Sequence, residues 1–147
     1  MYLDSAIIVK LLVREPESDY FDRALRGQAL DSSELSVTEV SSALLAKERN
    51  GDISQFERMV AMQRFRELVE DEIVRLLPLN RPVLDRAVAI LQACQPKVAL
   101  RTLDALHVAT CDLHRCDALC ATDLRMRAAG AQLAIRLFPD SLQEIRG

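Results

Sequence analysis

The sequence predicts a helix-rich α/β domain built on a mainly parallel sheet, and three observations predict it. Apolar residues recur at helical spacing over most of the 147-residue chain. Short apolar runs of strand length fall between those stretches, and no Asn-Gly or Asp-Gly turn joins two of the runs as a hairpin. Strands that alternate with helices and lack tight hairpins form βαβ units, with helices packed on both faces of the sheet.

In chain order, residues 1–3 read as the first strand and SAIIVKLLV at 5–13 as the first helix. A helix over 17–26 and a strand near 28–31 follow, then a helix over 36–49 that Gly51 should stop. Residues 54–71 form a long helix inside the charge-rich stretch 52–72. One side is solvated, and Phe56, Met59, Val60, Phe65 and Leu68 make an opposite, apolar face that serves as scaffold or as a partner-binding or dimerising surface. Residues 73–77 read as a strand, Pro82 as the start signal of a helix over 82–94, and 102–115 as an amphipathic helix. A strand at 118–121, a short helix at 124–130 stopped by Gly130, and a strand at 134–137 close the chain. The four glycines and five prolines are scattered, so no linker divides residues 1–147, and the length suits one cored domain.

Composition excludes more than it selects. Half of the residues are apolar and 28% are charged, the balance of a globular protein rather than of a disordered tail or a membrane protein. A net charge of −3 gives no bulk basic field for nucleic acid, so any such role rests on local cations. Four Phe, two Tyr and no Trp supply little for a base-stacking platform. The N-terminus carries an acid at Asp4 and no basic leader, which points with the unpaired-looking cysteines Cys94, Cys111, Cys116 and Cys120 to a reducing cytoplasm. His107, Cys111 and His114 share a helical face. The cysteine gaps match no common zinc spacing, however, and a buried apolar role suits these residues better.

The informative residues are four acids at strand-to-helix junctions or in the first turns of helices: Asp4, Glu39, Asp104 and Asp123. Each has a capping explanation. Asp is a preferred N-cap, acids near a helix N-terminus gain about 0.3–1 kcal/mol from the macrodipole, and Ser36-Val37-Thr38-Glu39 has capping-box spacing. Topology favours a shared site. In an open parallel sheet the residues after strand C-termini are delivered to the ligand crevice. Anions gathered there within about 6 Å repel by roughly 3 kcal/mol per pair at an effective dielectric near 20, so a cation or protons must neutralise them. Oxygen-only ligands select a hard ion, Mg²⁺ or Mn²⁺.

These motifs resemble those of the PIN-domain ribonucleases of the VapC toxin type. MYLDSAIIVKLLVREPES is similar to that family's opening, SVTEVSSALL to its second motif, LRTLDALHVAT to its third and CATDLRMRAAGAQL to its fourth, a likeness running to about residue 139. Ala6 departs from the pattern, standing where the family commonly has a second small hydroxyl. The resemblance implies a PIN-like fold and divalent-metal hydrolysis of RNA, with transfer or ribosomal RNA as candidate targets. It also implies a homodimer and a small cognate VapB-type antitoxin that wraps the toxin. Asp4, Glu39 and Asp104 are then the principal ligands and Asp123 a further ligand or water-orienting group, with Ser5 and Thr122 as supporting donors. Arg101, Arg125, Arg127, Lys10 and Arg14 are candidate phosphate contacts. Ile7, Ile8, Leu11, Leu12, Val40, Leu44 and Leu45 are candidate walls of an antitoxin groove. Two readings compete. A haloacid-dehalogenase-type phosphatase would need D-x-D after the first strand, where Asp4 is followed by Ser5 and Ala6, and a catalytically silent PIN-like interaction module would have no need of a repelling acid cluster.

Overall fold

The computed structural model describes residues 1–145. Its sheet has five strands, all parallel: β1 (Tyr2–Leu3), β2 (Leu30–Ser33), β3 (Val74–Leu77), β4 (Leu119–Cys120) and β5 (Leu137–Phe138), in the spatial order β3-β2-β1-β4-β5. The helices are α1 (Ser5–Leu12), α2 (Ser18–Leu25), α3 (Ser36–Asn50), α4 (Gln55–Glu70), α5 (Arg81–Cys94), α6 (Thr102–Leu113) and α7 (Leu124–Gln132). The predicted α/β class, a parallel sheet flanked by helices, is therefore the observed one.

Alternation along the strands divides the core. Tyr2 and Leu119 face one side with Val83, Ile90, Val108 and Met126, while Leu3 and Cys120 face the other with Ile7, Phe21, Leu44 and Phe65. Helices α5, α6 and α7 thus cover one face, and α1 to α4 cover the other. Because β2 and β4 lie on opposite sides of β1, the chain reverses its direction of winding there, and the crevice opens at the C-terminal ends of β1 and β4. Asp4 follows the first of these strands and Asp123 closely follows the second.

Several expected boundaries move. The second strand pairs at Leu30–Ser33 rather than near 28–31, because its register with β3 runs Leu30↔Val74 to Ser33↔Leu77. The last strand lies at Leu137–Phe138 rather than 134–137. Gly51 stops α3 as expected: at φ 79° it lets its own N–H reach Glu48 and the next N–H reach Lys47. Gly130 does not stop its helix, since α7 continues to Gln132. A Cβ there would lie 3.0 Å from Leu137 Cδ2 and 3.2 Å from Leu119 Cδ2, so this glycine permits the close approach of α7 to the sheet. The long helix begins only at Gln55, behind a capping box in which the Ser54 hydroxyl and the Glu57 carboxylate bond each other's backbone N–H groups. Its apolar face is split. Phe65 is buried, whereas Phe56, Met59 and Val60 are 75%, 55% and 50% exposed.

Candidate active site

Four helix N-termini converge on one cavity of about 190 Å³, lined by Asp4, Ser5, Ala6, Glu39, Asp104, His107, Asp123 and Met126. The four acids predicted from sequence therefore share one site, delivered by α1, α3, α6 and α7, and Thr122 is not among the described residues that line it. Capping and site membership coexist in two of them. Asp4 Oδ1 accepts the Ile7 N–H at 2.9 Å, and Asp123 Oδ1 accepts those of Arg125 and Met126 at 2.8 and 2.9 Å. Both side chains are locked in rotation, as an orienting role requires.

Glu39 does not fold back on Ser36. Its Oε2 accepts from Ser5 Oγ at 2.5 Å and from His107 Nε2 at 2.6 Å, while Ser36 Oγ turns to Ser5 at 3.0 Å and Ser32 at 2.7 Å. The N-terminus of α3 has no side-chain cap. His107 is a site residue that the sequence reading missed. Buried at 2% exposure, it has its Nδ1 2.7 Å from the Tyr2 hydroxyl, and its hydrogen-bond partners include neither Cys111 nor the exposed His114. The signal was present in the spacing, because Asp104 and His107 at i, i+3 share one face of α6.

The electrostatics are those of an anionic hole. Burial, offset by the Ile7 amide and His107 and reinforced by Glu39, pushes the Asp4 carboxyl up to about 6. Burial and then the neighbouring Asp123 raise Asp104. Burial also acts to raise Glu39, but the hydrogen bond and charge of His107 and the Ser5 hydroxyl outweigh it, leaving Glu39 below its ordinary value. Asp104 Oδ2 is buried with no hydrogen-bond partner. No lysine or arginine is among the described residues lining the cavity. An orphaned carboxylate oxygen among three further acids fits a hard cation. Among the described residues no group of three or more acidic, His or Cys side chains is placed to hold a metal ion as it stands; Asp4 and Asp123 are bonded to backbone amides and Glu39 to His107.

Two expected phosphate contacts belong to the scaffold instead. Arg127 is 8% exposed and donates to the carbonyls of Ala121, Pro139 and Asp140, and Lys10 pairs with Glu15 and Glu17 at 2.7 Å. Arg14 bonds Asp19 at 2.8 Å on the surface, and Arg101 and Arg125 stand exposed beside Asp104 and Asp123. The expected groove walls are also mostly core. Ile7, Ile8, Val40 and Leu44 have no exposed surface, Leu11 and Leu12 are half-buried, and only Leu45 is open at 42%.

A parallel five-stranded sheet whose switch point carries an acid-lined cavity defines a class of α/β domain with a hydrolase-like crevice. The chain belongs to the PIN-domain family, whose sequence pattern matches residues 1–132. It is 39% identical to Ribonuclease VapC46 of Mycobacterium tuberculosis over 96% of this chain and 98% of that protein. Among solved structures it is similar to FitAcB from Neisseria gonorrhoeae (TM-score 0.72, 16% identity, 95% of this chain and 96% of that one). It is also similar to a chain of a toxin–antitoxin complex from Klebsiella pneumoniae (TM-score 0.64, 17% identity, 95% and 97%). The sarcin-ricin-loop-cleaving toxin VapC20 of M. tuberculosis matches with TM-score 0.67 at 14% identity, over 88% and 94%. At such identities the structural likeness shows the fold, and it is the fold that carries the acids to the crevice.

Proposed function

We propose that this chain is a divalent-metal-dependent endoribonuclease acting as the toxin of a toxin–antitoxin pair. The observation that carries the reading is the single cavity on which Asp4, Glu39, Asp104 and Asp123 meet, with the Asp104 Oδ2 left without a partner. Likeness to a protein named as a ribonuclease over nearly its whole length supports it. Asp4, Glu39 and Asp104 would hold Mg²⁺ or Mn²⁺, with Asp123 as a further ligand or as the group that orients the attacking water. Bound there, the ion supplies charge relief at the phosphoryl group and a water of lowered pKa.

The protein's own part is orientation and exclusion. Asp4 and Asp123, fixed by backbone amides, present rigid oxygens to the crevice, and Ser5 and His107 keep Glu39 ionised. Exposed Arg101 and Arg125 at the rim engage phosphates of the RNA strand, while Ala6 offers no hydroxyl to the site.

An antitoxin's neutralising tail needs a basic residue for the acids and an apolar face to rest on. The exposed Phe56, Met59 and Val60 of α4 provide that face, in place of the buried residues first expected to do so. A homodimer is part of the same reading, with Leu84 and Val88 on the outer side of α5, 45% and 54% exposed, as its apolar contact.

The test is cleavage of structured RNA by purified protein with Mg²⁺ or Mn²⁺ and with excess chelator. Cleavage that requires the ion and vanishes in Asp104→Asn supports the reading. Cleavage unaffected by chelator, or equal in Asp104→Asn, overturns it.

A further inference from the structure

One buried group at the site has no part in capping or in the four-acid set: the imidazole of His107. Its ring is held at both nitrogens, with Nδ1 2.7 Å from the Tyr2 hydroxyl and Nε2 2.6 Å from Glu39 Oε2. Tyr2 has no exposed surface and meets the ring edge-on, with centroids 5.8 Å apart and planes at 68°. The carboxylate of Glu39 can only accept, so Nε2 must carry the proton whatever the charge of the ring. Tyr2 therefore fixes the rotation of the imidazole, and the imidazole fixes the rotation of Glu39.

We propose that Tyr2 and His107 are positioning residues that prepare Glu39 for a divalent cation, an inference that rests on the metal-dependent reading of the cavity. Oε2 already takes two donors, the Ser5 hydroxyl at 2.5 Å and the His107 N–H at 2.6 Å. Glu39 is thus left to offer Oε1, in one orientation, to an ion in the cavity. Glu39 enters from α3, on the opposite face of the sheet from α6, whose His107 holds it. Without that link, a long side chain that is 22% exposed would spread over several rotamers. Polar groups of this kind behind a metal ligand commonly contribute about 10- to 100-fold in affinity or activity.

The experiment compares wild type with Tyr2→Phe, His107→Ala and His107→Gln, where the Gln amide can replace the Nε2–H donor and Phe keeps the packing of Tyr2. Three readouts apply: Mn²⁺ binding by calorimetry without RNA, steady-state RNA cleavage, and imidazole N–H signals of metal-free, ¹⁵N-histidine-labelled protein. Expected are a slowly exchanging Nε2–H in wild type that is lost to solvent exchange in Tyr2→Phe, and Mn²⁺ affinity about tenfold or more weaker in Tyr2→Phe and His107→Ala. Cleavage should fall in kcat with little change in KM, with partial recovery in His107→Gln. A folded Tyr2→Phe and His107→Ala that bind Mn²⁺ and cleave within about twofold of wild type overturn the proposal. Absence of cleavage by wild type under any divalent ion sinks the nuclease reading instead, while the N–H signals and Mn²⁺ binding still decide whether Tyr2 and His107 hold Glu39.

Discussion

Asp4 serves two needs that conflict. As the N-cap of α1 it accepts the Ile7 N–H, and as a fully buried acid beside Glu39 it resists ionisation, standing at about 6 against an ordinary 3.8. A folded pKa above the unfolded one means that the native state binds more protons between those values, so stability falls as pH rises from about 4 to 6. Above that, a penalty of roughly 3 kcal/mol remains until a cation offsets it. Asn can keep the cap without the charge. Metal-free Asp4→Asn should therefore melt higher than metal-free wild type at pH 7.5, and the two curves should converge near pH 4, while RNA cleavage is lost. Thermal scans in chelator across that range are the check, and a variant that melts lower at pH 7.5 would make Asp4 a structural cap alone. The position of this acid was legible because a strand-to-helix junction is a local pattern. The partner of Glu39 was not, since Ser36 and Glu39 have capping-box spacing and only the tertiary fold brings His107 and Ser5 to compete for the carboxylate. Burial misled in the same way at Arg127, whose sequence position beside Asp123 suggests phosphate but whose guanidinium bonds three carbonyls. Arg127→Ala should cost about 2 kcal/mol or more in chemical denaturation by leaving carbonyls unpaired, whereas Arg125→Ala should leave stability within about 0.5 kcal/mol and raise KM for RNA.

Among the elements, the ends of helices explain which boundaries could be read. Gly51 combines a left-handed residue with the end of an apolar period, so sequence and structure agree. The end of α6 uses Arg115 at φ 50° instead of glycine: its N–H bonds Asp112 O, and the Cys116 N–H returns to Cys111 O at 3.1 Å. This Schellman turn brings Cys111 and Cys116 to the two positions that normally share an apolar contact. Two of the closely spaced cysteines thus have a structural account that needs no zinc. Arg115→Gly should stabilise by roughly 0.5–1 kcal/mol, because it relieves the left-handed conformation, and urea titration would show it. The true capping box lies at Ser54 and Glu57, masked in the sequence by a charged stretch that reads as one continuous helix. Ser54→Ala should cost about 1 kcal/mol by the same measurement.

For the whole molecule, the order of strands decides where chemistry and partners can be. The reversal of winding at β1 sends Asp4 and Asp123 to one edge, and α3 and α6 add Glu39 and Asp104 from opposite faces of the sheet. That much followed from a βαβ rhythm and four junction acids. Which apolar residues stay open did not, because apolar spacing alone cannot tell a closed core from an open face, and the face of Phe56, Met59 and Val60 read equally as scaffold or as a partner surface. Ile7 and Ile8 of α1 and Val40 and Leu44 of α3 are as apolar as any groove wall yet lie buried, while α4 turns Phe56, Met59 and Val60 outward. A side chain that is 75% exposed contributes little to folding, so Phe56→Glu should leave the melting temperature and RNA cleavage near wild type. It should nevertheless remove an apolar anchor and put in its place a carboxylate that must lose its water when an apolar partner face closes over it. Co-expression with the adjacent reading frame then gives a clear expectation: wild type is tolerated and co-purifies with that product, whereas Phe56→Glu is toxic and purifies alone. If the variant is still neutralised and still co-purifies, the antitoxin rests elsewhere; if wild type is tolerated without any partner, the toxin reading is wrong although the acid-lined PIN fold stands.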